Sequence, residues 1–133
     1  MPKRGDSFHI DTGVGEGGQA ETHLFFVLLE PGAGGKTIIA NVETIRPGGK
    51  HDLTTVLQAG EHTFIKHPSC VVYRMARIVT SDRIDSLVQE KKARPDEPLP
   101  EEPLDRICRG LLRSPYTKAE VREMYEENLF AQI

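Results

Sequence analysis

"HLFFVLLEPGAGGKTIIANVETIRPGG", His23 to Gly49, decides the fold. Six apolar residues, Leu24 to Leu29, run without interruption and are closed by Pro31-Gly32. That pattern predicts a strand buried on both faces. "GAGG" then turns the chain into "KTIIANVETI", rich in β-branched residues, and "RPGGKHD" turns it again. Before this hairpin, "DSFHID" alternates Phe8 and Ile10 with polar neighbours, the period of a half-buried strand. "GVGEGGQAE", Gly13 to Glu21, joins the two and predicts a flexible loop. After the hairpin, "LTTVLQAG" predicts a short strand and "SCVVYRMARIV", Ser69 to Val79, the longest one. Five strands joined without a helical crossover predict an antiparallel sheet curled into a small barrel, a mainly β fold.

The pattern changes at Ser81. "SDRIDSLVQEKK" places Ile84, Leu87 and Val88 at helical spacing, with Ser81 as the expected cap. "ARPDEPLPEEP", residues 93–103, has four prolines and predicts an extended acidic linker. Leu104, Ile107, Cys108, Leu111 and Leu112 then form an amphipathic stripe, and Thr117 with Glu120 forms a capping box before a third helix. The expected organisation is a barrel with its closing helix over residues 1–92, a linker over 93–103 and a helical appendage over 104–133.

Charge places the chemistry in the first half. Residues 1–77 hold eight Lys/Arg and eight Asp/Glu, residues 78–133 nine and twelve, so the second half carries the whole net charge of −3. All five histidines precede residue 68. A net negative chain is a poor candidate for binding nucleic acid by bulk electrostatics. Nothing approaches the roughly 18 consecutive apolar residues of a membrane span, and no apolar signal segment follows the first residues. Two cysteines without a CxxC pair fit reduced thiols, so a cytoplasmic setting is expected.

"AGEHTFIKHPSC", Ala59 to Cys70, concentrates the reactive side chains. A zinc reading would use His62, His67 and Cys70, but structural zinc needs a fourth ligand and tighter paired spacing, so no metal or cofactor is expected. An acid–base reading fits better: cleavage of RNA by its own 2′-hydroxyl needs a base, an acid and donors to the phosphorane. Histidine, lysine and threonine supply all three without a metal. The alternative for His62 and His67, each taken alone, is a solvated loop histidine. His23 stands where the glycine-rich loop enters the buried strand, and Thr44 near the end of the third strand beside Glu43. Tyr73 and Arg74 lie within the longest expected strand, as ligand contacts or as core.

The order of these segments resembles the PemK/MazF-type toxins of toxin–antitoxin systems over about residues 5–90. It is carried by "GDSFHID", the glycine-rich loop, "HLFFVLL", "NVETI", "VLQAG" and "SCVVYRMARIVTSDRI". Gly5 and Asp6 match the family's opening pair, and Thr44 its threonine. His23 stands where the family has a catalytic arginine, and Glu43 precedes Thr44 where the family's segment runs Pro-x-Thr. The resemblance implies a small SH3-like barrel, a homodimer, an antitoxin partner and metal-independent endoribonuclease activity on single-stranded RNA. On this reading His23, Thr44, Lys66 and His67 are the catalytic candidates, and Glu43, His62, Tyr73 and Arg74 the substrate contacts. The alternative is a non-catalytic barrel that binds nucleic acid or a protein partner.

Overall fold

The computed structural model describes residues 2–14, 20–31 and 35–131. Among these residues, seven strands and three helices follow one another as β1 (Ser7–Val14), β2 (Ala20–Val27), β3 (Lys36–Thr44), β4 (Val56–Leu57), β5 (Ser69–Val71), β6 (Arg77–Thr80), α1 (Ser81–Gln89), β7 (Ala93–Asp96), α2 (Glu101–Arg113) and α3 (Ala119–Ala131). The central part of the glycine-rich loop, expected to be flexible, and most of "GAGG" lie outside the described residues.

The strands form one antiparallel sheet in the order β4-β5-β3-β2-β1-β7, with β6 also on β3. Its path has two ends and does not close on itself. β2 and β3 lie at its centre, Phe25 opposite Asn41 and Val27 opposite Ile39. Both faces of this centre are covered, as the unbroken apolar run predicts. Leu24, Phe26, Ile38, Ala40 and Val42 pack with Leu104, Ile107, Leu111, Val121 and Tyr125 of α2 and α3. Phe25, Val27 and Ile39 pack on the opposite face with Ile84 of α1. The stripes expected of an appendage are thus part of the main core.

"SCVVYRMARIV" is not one strand. Between the pairs Val42–Val71 and Ile39–Arg77, β3 has two residues and its partner five. The surplus coils into a 3₁₀ turn, Tyr73–Met75. Alternation in the sequence carried no mark of this, because the residues of the turn are as compatible with a strand as their neighbours. Coiling turns the Tyr73 ring into the core, where it is fully buried and its phenol is pushed up by that burial. Its hydroxyl lies 2.7 Å from the Ile107 carbonyl and 2.8 Å from Thr55 Oγ1. A carbonyl only accepts, so the Tyr73 proton goes to Ile107 and Thr55 donates to Tyr73. Strand, turn and α2 are held together at this point.

The expected linker is ordered as well. Ala93–Asp96 forms the edge strand β7 against β1, an edge being where a strand tolerates the proline Pro95. Pro103 falls in the first turn of α2, where a missing N–H costs nothing. Gly5, at φ 93°, donates to the Val27 carbonyl and accepts from the Leu99 amide, both at 2.8 Å, tying the start of the chain to the segment before α2. The helix caps differ by small steps from expectation: Thr80, not Ser81, accepts from the Arg83 amide. The Thr117 hydroxyl donates to the Leu111 carbonyl instead of capping α3.

Gly110 shows how closely α2 is seated. A Cβ there would collide with the hydroxyls of Thr55 and Tyr73. Glycine to alanine inside an exposed helix gains about 1 kcal/mol; here the collision reverses the sign. Gly110→Ala is expected to lower unfolding stability by about 1–3 kcal/mol, as overpacking does. A urea midpoint equal to or above wild type would show that α2 does not rest on Tyr73.

Candidate functional site

One open groove of about 560 Å³ is lined by His23, Thr44, Lys66 and His67, together with Glu43 and Arg46. All four residues expected to be catalytic therefore face a common space, although they come from β2, from β3 and from the loop before β5. Among the described residues that line the groove, Arg46, Lys66 and two histidines face one carboxylate, Glu43. That balance suits an anionic ligand.

His23 is half-buried on β2, and its pairing with Ile10 of β1 fixes its backbone. Thr44 is the last residue of β3, paired with Ser69. Lys66 and His67 are exposed, and Pro68 after them accepts from the Ile45 amide at 3.0 Å. This bond turns the loop back against the end of β3. The bend resolves the problem that Lys66 and His67 would point to opposite faces of a straight strand.

His62 and Phe64 anchor that loop. His62 is 3% exposed, and its Nδ1 accepts from the Phe64 amide at 3.0 Å. Its proton therefore sits on Nε2 and is donated to the Glu97 carbonyl at 2.8 Å, beside Ser7 Oγ at 3.1 Å. A histidine so enclosed holds the loop and is not a substrate contact. Phe64 meets the His9 ring edge-on at 4.5 Å. His9 Nε2 in turn lies 2.6 Å from Asp96 Oδ2 on β7. Tyr73, a second expected contact, is in the core as described. Arg74 is exposed but lines two neighbouring grooves instead of this one.

Glu43 is the wall shared by three grooves. Its Oε1 lies 2.9 Å from His51 Nδ1 and 3.7 Å from Cys70 Sγ. His51 Nε2 accepts from the Arg46 amide at 3.0 Å, so Nδ1 carries the proton and donates it to Glu43. His51 was invisible in the sequence as a site residue: it lies eight positions past Glu43, and only the "RPGGK" turn folds it back. Arg46 was hidden in the same turn.

Among the described residues, Glu43, His51 and Cys70 are the group whose ligand atoms lie close enough for a metal, within 4.8 Å of one another. A cation there would have to displace the Nδ1 proton that Arg46 enforces. It would also need the thiolate of Cys70, which burial first and the Glu43 carboxylate second push up to about 11. The set is better described as a hydrogen-bonded clamp on Glu43. The earlier zinc set is dispersed, with His62 bound to Glu97, His67 in the groove and Cys70 beside Glu43.

Comparison of the chain with protein-family models and with curated protein sequences finds no match.

The loop anchor sets a pH dependence. The bond from His9 first, and the Glu97 amide second, hold the Asp96 carboxyl below its ordinary value of 3.8. A carboxyl depressed on folding contributes stability above its unfolded value and loses it as pH falls through the folded one. Wild type is expected to lose more stability between about pH 7 and about pH 3 than Asp96→Asn, which has no carboxyl there to protonate. Parallel losses in urea denaturation would show that Asp96 does not hold β7 and the loop.

Proposed function

We propose that the chain is a metal-independent endoribonuclease of the PemK/MazF type, acting on single-stranded RNA. The observation that carries this reading is the convergence of His23, Thr44, Lys66 and His67 on one groove. The SH3-like character of the fold belongs to the same proposal. Its support is the double service of β3, which pairs with β2 and β6 over one part and with β5 over another.

The chemistry needs no group beyond these side chains. A base removes the proton of the ribose 2′-hydroxyl, whose oxygen attacks the adjacent phosphorus. The P–O5′ bond breaks, and an acid protonates the departing 5′-oxygen. The products are a 2′,3′-cyclic phosphate and a free 5′-hydroxyl. His23, fixed on β2, suits the base, and His67, at the open rim, the acid. Lys66 and the Thr44 hydroxyl are the donors to the charge that grows on the phosphorane, with Arg46 adding to the field. Glu43 holds the far wall. Because His51 donates to it, part of its charge is compensated before substrate arrives. A homodimer and an antitoxin partner extend the proposal to the family's usual assembly.

One observation favours the non-catalytic reading: Glu43 repels a phosphate placed against it. Cleavage assays separate the two. In EDTA the wild-type protein is expected to cut single-stranded RNA and leave cyclic phosphate ends. His67→Ala and Lys66→Ala should each slow cutting by about 10²-fold or more, as loss of a proton-transfer group or an oxyanion donor does. Intact RNA with wild type, or full activity in both variants, would remove the proposal.

A further inference from the structure

Across β3 from the first groove lies a second, of about 670 Å³, between the sheet and α1. His23 and Glu43 line both. Ile38, Ala40 and Val42 point into the main core, so alternation sends Ile39, Asn41 and Glu43 to this other face. Asn41 is 7% exposed, lines the groove, and its Oδ1 has no hydrogen-bond partner among the described residues. A buried amide oxygen left unpaired carries an uncompensated desolvation cost, which a ligand donor would recover.

The rest of the groove indicates what kind of ligand that is. Arg74, Arg77 and Arg83 line it, from the 3₁₀ turn, β6 and α1. Its two carboxylates among the described residues are engaged: Asp11 accepts from Thr22 at 2.7 Å, and Glu43 from His51. The Arg77 guanidinium lies over the Phe25 ring, 5.8 Å from its centre, and its Nε donates to the Met75 carbonyl at 3.3 Å. A guanidinium held between a ring and a carbonyl is a prepared surface for a flat group. RNA bases stack on arginine planes in this way.

We propose that this second groove seats one nucleotide of the strand that crosses the first. Its base stacks on Arg77, and an exocyclic amino group donates to Asn41 Oδ1. Its phosphate lies among Arg74, Arg77 and Arg83. The seat deepens the ribonuclease reading and rests on it for the identity of the polymer. Adenine and cytosine carry the required amino group and uracil does not, so the seat discriminates between them.

The test uses 2′-O-methyl oligonucleotides, which lack the attacking hydroxyl and survive intact. Wild type is expected to bind oligo(A) or oligo(C) about 10-fold more tightly than oligo(U), the scale of a good base-edge contact. Asn41→Leu, similar in volume, should abolish the preference, and Arg77→Gln should weaken binding to every oligomer. Equal affinity of wild type for all three, or a preference that survives both substitutions, would overturn the seat even if unmodified RNA is cut. If the preference depends on Asn41 while unmodified RNA of that sequence stays intact, the seat stands and the ribonuclease reading fails. Sedimentation of the free protein supplies a further outcome: a dimer that Asn41→Leu and Arg77→Gln dissociate would mean that a second copy covers the groove, and would overturn the seat.

Discussion

Opposite β3 the chain carries three residues more than β3 can pair, and much of the molecule follows from where they go. As a 3₁₀ turn they put Tyr73 into the core and leave Arg74 and Met75 exposed on the other side. Tyr73 then holds α2 through the Ile107 carbonyl, and glycine at position 110 lets the helix come close enough for that bond. Arg74 and Met75 become a wall of the second groove. A straight strand here would have neither docked the helix nor built the wall.

The same economy governs the site. β3 has Ile38, Ala40 and Val42 in the core and presents Asn41 and Glu43 on the opposite face, with Thr44 at its end. Glu43 is clamped by His51, whose tautomer is set by a backbone amide of its own turn. Lys66 and His67 are brought to the groove by a loop with buried anchors at His62 and Ile65 and a backbone bond at Pro68. The side chains proposed to do chemistry are exposed or half-buried, and those that position them are mostly buried. That division is what a rigid scaffold presenting reactive groups requires.

Much of this was legible in the sequence, and the exceptions have physical causes. The run Leu24–Leu29 announced a strand covered on both faces, and the stripes of α2 and α3 announced helices. What periodicity does not encode is pairing length, so the break at Tyr73 was missed. Proline density concealed β7 and the start of α2, because an edge strand and a first helical turn are the places where proline is harmless. His23, Thr44, Lys66 and His67 were singled out from residue type and segment order, and they line one groove. The enclosure of His62 was not legible, because it depends on partners 55 and 35 residues away in the chain. Asn41, Arg46 and His51 carried no local signal. A strand asparagine and two turn residues gain meaning only from what folding places beside them.

The central claim is that a nucleic-acid strand runs over β3 between the two grooves. Its most direct test is amide chemical-shift mapping with a 2′-O-methyl RNA oligomer. The account predicts that the largest shifts fall at His23, Asn41, Glu43, Thr44, Lys66 and His67. Shifts confined to the basic face of α2, around Arg106, Arg109 and Arg113, or no shifts at all, would contradict it.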